Sequence, residues 1–229
     1  MAPYQNPIVL VTRPKEDATA FVAQLQATGR VFEPAIAPAF GIEALEHNIP
    51  TFDGAIFTSK AGVATAPEGM GRVAWCVGDV TAAAAAQKGY AACSAQGNAD
   101  ALVVMILGQA PSGTLVHLRG ENSYGDVSAR LTAAGLTCRE VVTYRKVRQP
   151  PPDGLRALFK NGRPFVLPVF SAETGSILRD WQIPMAQAHI VAISTKVADT
   201  FDAMQPFDMT VVETPNLASM TQAVARLIA

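Results

Sequence analysis

Pro7-Ile8-Val9-Leu10-Val11-Thr12-Arg13-Pro14 opens the ordered pattern of this chain. Ile8 to Val11 is an unbroken apolar run, bounded by prolines at Pro7 and Pro14. A strand with one wet face alternates apolar and polar residues; a strand covered on both faces does not. Downstream, Ala18, Phe21, Val22 and Leu25 recur at helical spacing, and Gly29 is placed to stop the helix. Val31 to Ile36 then reads as a second strand. Buried strands alternating with amphipathic helices make βαβ units, and hence parallel sheets with helices on both faces.

The same alternation continues. Ala55-Ile56-Phe57 and Val73 to Val77 are predicted strands, and Thr81 to Lys88 is an alanine-rich helix stopped by Gly89. Asn98 fits an N-cap, with Leu102, Met105 and Ile106 following on one helical face. The pattern then starts again. Leu115-Val116-His117-Leu118-Arg119-Gly120 echoes Val9 to Pro14, and Phe165 to Ser171 echoes Ala55 to Ser59. His189 to Ser194 echoes Val73 to Gly78, and Pro215-Asn216-Leu217 echoes Gly97-Asn98-Ala99. Between the paired segments, Val127, Leu131 and Ala134 form a helical face closed by Gly135. Four echoes in matching order point to duplication of one α/β unit. Val141 to Val147 differs: it is β-prone and runs into Arg148-Gln149-Pro150-Pro151-Pro152, which reads as a junction between lobes. Its counterpart is Phe32 to Pro38.

Composition narrows the function classes. The chain has 229 residues, enough for one large domain or two small ones, and 49% are apolar. A net charge of -1 advertises neither nucleic acid nor a membrane surface. The N-terminal stretch lacks a basic n-region, and no apolar run approaches a membrane span, so a cytoplasmic protein is expected. Cys76, Cys93 and Cys138 read as small hydrophobes in a reducing compartment, and His117 and His189 as satisfied core imidazoles. No metal site is expected.

Ligands of open parallel sheets bind beyond the carboxyl ends of the strands. Those positions hold Thr12, Arg13 and Lys15; Thr58, Ser59 and Lys60; Gly78, Asp79 and Thr81. In the second half they hold Arg119, Gly120, Glu121 and Asn122; Ser171, Glu173 and Thr174; Ser194, Thr195 and Lys196. Small hydroxyls and basic groups at successive strand ends suit a polyanionic small molecule. Helix capping accounts equally well for any single hydroxyl. Phosphate-loop, dinucleotide and nucleophile-elbow motifs are absent from the sequence.

The strand-end motifs together resemble the uroporphyrinogen-III synthase family. They are Val9-Leu10-Val11-Thr12-Arg13-Pro14, Ile56-Phe57-Thr58-Ser59, Val77 to Ala82, Gly97 to Leu102, Leu118-Arg119-Gly120 and Val142-Thr143-Tyr144-Arg145-Lys146-Val147. The resemblance implies two flavodoxin-like parallel-sheet lobes joined by a two-stranded β-ladder, with the active site in the cleft between them. It implies a discontinuous first lobe, 1–36 with 148–229, and a second lobe, 37–147. The implied reaction closes hydroxymethylbilane to uroporphyrinogen III, with loss of water and inversion of the last pyrrole ring, and needs no cofactor. A monomer is expected, in transient contact with the enzyme that supplies hydroxymethylbilane.

The resemblance also implies roles. Tyr144 matches the family's V-Y tyrosine and is the candidate proton donor to the departing hydroxyl; a phenol keeps its proton at neutral pH. A packing tyrosine at a hinge is the other reading. Thr81 matches a threonine associated with the ligand cleft, and Ser59 and Ser171 match serines that open helices on facing rims. Arg13 and Lys60 are the candidates to pair with substrate carboxylates; Thr58, Gly78, Asn98, Arg119 and Gly120 are further substrate-binding candidates. The family's G-P-x-T-A is replaced by Ser194-Thr195-Lys196-Val197-Ala198 here. Val197 stands where the threonine would be, so Thr195 and Lys196 are the candidates on that rim. The alternative function is a non-catalytic two-lobed anion-binding module of the same fold, which turnover of hydroxymethylbilane separates from the enzyme.

Overall fold

The computed structural model describes residues 6–159 and 162–228. The chain divides into two compact units, Met1–Gly41 with Arg148–Ala229, and Ile42–Val147. The division falls after Gly41 because Ala37 and Ala39 are buried in the core of the first unit.

The first unit contains β1 (Ile8–Val11), α1 (Lys15–Gln26) and β2 (Glu33–Ile36) from the start of the chain. Its remaining elements come from the end of the chain, after the second unit has been built. They are α6 (Leu155–Leu158), β9 (Phe165–Val169), α7 (Ala172–Asp180), β10 (Ala188–Ala192), α8 (Thr195–Ala198), β11 (Asp208–Val211) and α9 (Leu217–Leu227). The sheet order is β11-β10-β9-β1-β2, parallel throughout. Ile8 and Leu10 of β1 pack with Phe165, Leu167 and Ile190 on one face; Val9 and Val11 pack with Phe21, Leu25, Val191 and Met220 on the other. Both faces are covered, which is why the strand reads as continuous apolar sequence. Gly29 follows α1 at φ +76°, a left-handed turn that residues with a Cβ resist.

The second unit contains β4 (Gly54–Phe57), α2 (Lys60–Ala64), β5 (Val73–Cys76), α3 (Asp79–Gln87), β6 (Ala91–Ser94) and α4 (Ala99–Gln109). It continues with β7 (Thr114–Gly120), α5 (Val127–Ala133) and β8 (Thr137–Arg148); β3 (Phe40–Ala44) precedes them all. The order is β3-β8-β7-β4-β5-β6. From β8 to β6 every pair is parallel. The chain passes between units inside β3 and again inside β8, which are neighbours in this sheet. Beside them, Leu45 N–H donates to Thr143 O at 2.9 Å and Gln149 N–H to Ala39 O at 3.0 Å.

The four sequence echoes fall on matching elements. β7 occupies in its sheet the place that β1 has in the other, β4 the place of β9, and β5 the place of β10. Asn98 and Asn216 cap the matching helices α4 and α9, each accepting backbone N–H bonds on its side-chain oxygen. The two units therefore share one topology, entered by the chain at different strands. Among the described residues no helix is long and apolar enough to cross a membrane.

Candidate active site

In the second unit the strand order reverses at β4. The chain moves from β4 outward through β5 to β6, then returns to lay β7 and β8 on the other side. Such a switch point leaves a crevice at the carboxyl ends of the two central strands, here β4 and β7.

Ser59 ends the turn after β4 in extended conformation and caps α2; Gly62 N–H donates to its Oγ at 3.1 Å. The same Oγ lies 2.7 Å from Tyr144 Oη. Tyr144 reaches this point because β8 carries an irregularity. Arg119 pairs with Val142, but Gly120 pairs with Tyr144, so Thr143 is skipped. The extra residue re-aims the strand, as bulges beside sites do. Thr143 turns its hydroxyl to Thr65 Oγ1 at 2.6 Å, and Tyr144 lays its ring over Gly120, where a Cβ would meet it at 2.7 Å. Glu121 N–H donates to Tyr144 O at 2.9 Å and fixes the strand end.

Thr58, beside Ser59, approaches Nε2 of His117 at 3.3 Å, and His117 Nδ1 approaches Ser128 Oγ at 3.3 Å. Burial, reinforced by the Arg119 charge, pushes the imidazole down to about 4. The sign follows from linkage. The unfolded chain takes up a proton near the ordinary 6.5, and the folded chain refuses it until about 4. Stability is expected to fall as pH drops from about 6.5 towards about 4, and to level off below. Denaturant midpoints across that range, compared with those of His117→Phe, check it: the wild-type fall should exceed the variant's.

The remaining candidates divide by what they touch. Arg119 makes a bidentate pair with Glu140, at 3.1 and 2.8 Å, and its Nη1 donates to Gly120 O and Glu121 O. Its guanidinium holds the Glu140 carboxyl below the usual range. Arg119 is thus a brace for the β7 end. Asn98 Oδ1 accepts from Asp100 and Ala101 N–H at 3.0 and 3.1 Å, a full N-cap. Thr81 is buried in the first turn of α3. Gly78 precedes α3 with open space where a Cβ would stand, so a ligand can approach the backbone there. Lys60 is the half-buried first residue of α2.

In the first unit the order reverses at β1, giving a β1–β9 switch point. Arg13 follows β1 and lies across it, its guanidinium 4.4 Å from the centre of the Phe170 ring and 3.3 Å from Asp17. Ser171, after β9, accepts from Thr174 N–H at 3.3 Å as the cap of α7. Thr195 and Lys196 are exposed at the start of α8, while Val197 is buried in the apolar core. The structure thus brings Thr58, Ser59, Gly120 and Tyr144 together at one switch point, and places Arg13 and Ser171 at the other. Sequence reasoning alone does not single out His117, Ser128 or Thr143 as site residues. A histidine where the echo places Val11 was the available signal.

Duplicated parallel sheets with hydroxyl-bearing rims at their switch points define a mixed, doubly wound α/β protein. The model of the uroporphyrinogen-III synthase HemD family matches residues 19–222. Uroporphyrinogen-III synthetase from Helicobacter pylori 26695 matches over 97% of this chain and 100% of its own, at 11% identity and a TM-score of 0.67. A mutant uroporphyrinogen III synthase from the extremely thermophilic bacterium Thermus thermophilus matches over 96% and 98%, at 19% identity and a TM-score of 0.47. No curated protein matches the chain by sequence. The chain belongs to the uroporphyrinogen-III synthase family, and it is a cyclising lyase of haem biosynthesis.

Proposed function

We propose that the terminal hydroxyl of hydroxymethylbilane, a polyanionic linear tetrapyrrole, is protonated in the β4–β7 crevice by Tyr144. The 2.7 Å contact between Ser59 Oγ and Tyr144 Oη carries this reading. Ser59 has one proton and two lone pairs. Gly62 N–H occupies a lone pair, so the Ser59 proton is available to the phenol oxygen. The phenol's own proton is then left for the substrate hydroxyl. As that proton moves, charge grows on the phenol oxygen, and the Ser59 hydrogen bond becomes charge-assisted and stronger.

The C–O bond then breaks, water leaves, and a pyrrole nitrogen supplies the electron pair that makes the azafulvene cation. The substituted carbon of the last pyrrole attacks it to form a spiro intermediate. The intermediate fragments, the last ring inverts, and closure through the free carbon expels one proton, which returns to Tyr144. Water and uroporphyrinogen III are the products, and the enzyme is restored. The protein contributes positioning and one proton transfer. Arg13, Lys60 and Lys196 supply cations for substrate carboxylates, with Thr81, Ser171 and Thr195 as hydroxyl partners. Arg119 and Asn98 act by bracing the strand end and the helix that frame the rim.

Freshly prepared hydroxymethylbilane, incubated with the protein and resolved by chromatography, should give the type III isomer. Spontaneous type I product alone, from folded protein, would overturn the reading. The reaction is proposed to be cofactor-independent and cytoplasmic; the unpaired Cys76, Cys93 and Cys138 suit a reducing compartment. The rate should survive exhaustive chelation and dialysis. Loss on chelation, restored by one metal, would replace cofactor independence with a metal requirement.

A further inference from the structure

His117 sits in β7 with 1% of its surface exposed. By the sequence echo and the matching place of β1 and β7, its twin in the first unit is Val11, wholly buried among apolar residues. This topology therefore accepts a hydrocarbon here. A buried imidazole costs free energy unless its nitrogens are bonded, so the fold alone does not call for one.

Both nitrogens are bonded, and their partners lie in different places. Ser128 is buried on α5, whereas Thr58 stands half-exposed on the rim of the crevice. The imidazole links the two. Around it, Arg119 and Glu121 from β7 and the following turn, Asp126 before α5, and Cys138 and Glu140 from β8 line a cavity of about 720 Å³ that His117 also borders. Arg119 and Glu140 neutralise each other as a bidentate pair. Burial, the larger effect, keeps the ring neutral above about 4. A neutral ring has one N–H and one accepting nitrogen. Ser128 also borders that cavity, so its proton can turn into the cavity rather than to His117. Ser128 Oγ is then free to accept from Nδ1–H, and Nε2 is left to accept from Thr58.

We propose that His117 is a positioning residue. Its Nε2 takes the Thr58 proton, leaving the Thr58 lone pairs for a pyrrole N–H of the substrate. The proposal rests on reading the β4–β7 crevice as the substrate site. Its consequence is discrimination. A threonine can ordinarily donate or accept; an acceptor-only Thr58 receives the N–H of a pyrrole and refuses a propionate or acetate oxygen. It thereby fixes ring from side chain at that point of the rim.

Two measurements test it on the intact protein. In ¹⁵N-histidine spectra, His117 should carry its proton on Nδ1; protonation on Nε2 overturns the proposal, whatever the variants do. In steady-state kinetics, Thr58→Val and His117→Phe should each raise KM by about tenfold with a much smaller change in kcat, the effect of one hydrogen bond. The double variant should be no worse than either alone. His117→Gln, whose amide oxygen can stand in for Nε2, should recover most of the loss. Impaired Thr58→Val beside a folded His117→Phe of normal KM would sink the role of His117 and leave the crevice. A normal Thr58→Val would remove Thr58 from the substrate site itself. Should His117→Phe not fold, the tautomer and the glutamine variant decide.

Discussion

Tyr144→Phe is expected to slow cyclisation by about 100-fold or more, with little change in affinity for uroporphyrinogen III. The substitution removes one oxygen and leaves the ring over Gly120, so packing on β7 is preserved. Ser59 keeps its bond from Gly62 N–H, and on a half-exposed rim water can take the place of the phenol. The stability cost should therefore stay near ~1 kcal/mol, the worth of one hydrogen bond. General acids contribute about 10²–10⁴ in rate, and the product retains no leaving hydroxyl to protonate. The loss should thus appear in kcat and kcat/KM together. Turnover and product binding on one preparation check it. Normal turnover with a lowered melting temperature would make Tyr144 a packing residue. The proton would then come from Thr81, bound water or the substrate's own carboxylic acids, and ring closure would remain the function.

What could be read from sequence follows from where burial leaves a pattern. β1, β4, β5, β7, β9 and β10 are covered on both faces, and each appears as an apolar run. The strands that escaped notice are the edges. β6 is Ala-Ala-Cys-Ser and β11 is Asp-Met-Thr-Val, both largely half-exposed or exposed. β3, Phe-Gly-Ile-Glu-Ala, is no richer in signal. An edge strand has one neighbour and its side chains are less fully covered: Ala92 and Cys93 of β6 and Met209 of β11 pack against the cores but stay partly exposed, so no continuous apolar run marks them. β8 begins at Thr137, ahead of the β-prone run that opens at Val141; Thr137-Cys138-Arg139-Glu140 mixes polar and small residues on a largely exposed stretch and carries no strand pattern. The helices α6 and α8, of four residues each, are too short to display a helical period.

The site was legible in its parts and illegible in its pairings. Ser59, Ser171 and Asn98 were readable as helix caps, and each accepts backbone N–H bonds as caps do. The meeting of Ser59 with Tyr144 was not readable. It joins residues 85 positions apart and depends on the slip that skips Thr143. Arg119 stands out in sequence by its charge, but its partner Glu140 comes from the adjacent strand, and that bidentate pair is a feature of strand register. In sequence His117 reads as a satisfied core imidazole. It is satisfied, yet Thr58, one of its two partners, stands on the rim, which no local pattern announces.

Gly120→Ala is expected to cost as much activity as loss of the phenol and to destabilise the fold as well. A Cβ at this position would stand 2.7 Å from both Cε2 and Cζ of Tyr144 and 3.0 Å from its Oη. A stiff ring cannot bend away from such a contact. The backbone cannot yield easily either, because Gly120 and Tyr144 are paired in register and Glu121 N–H is bonded to Tyr144 O at 2.9 Å. The ring must rotate, and its hydroxyl must leave Ser59. Overpacking of this kind costs about 1–3 kcal/mol. In a Tyr144→Phe background the added methyl should lower turnover little further, since the proton it displaces is already gone, while the stability cost persists. Gly78→Ala is the matched control for stability. Its Cβ would meet nothing within 4 Å and its φ of -153° suits any residue, so the melting temperature should hold, within about 0.5 kcal/mol. Thermal melts and single-turnover rates on Gly120→Ala, Tyr144→Phe, their combination and Gly78→Ala make the comparison. Wild-type melting and turnover in Gly120→Ala would mean that the ring has somewhere else to go, and that its place over Gly120 does not set the Ser59 contact.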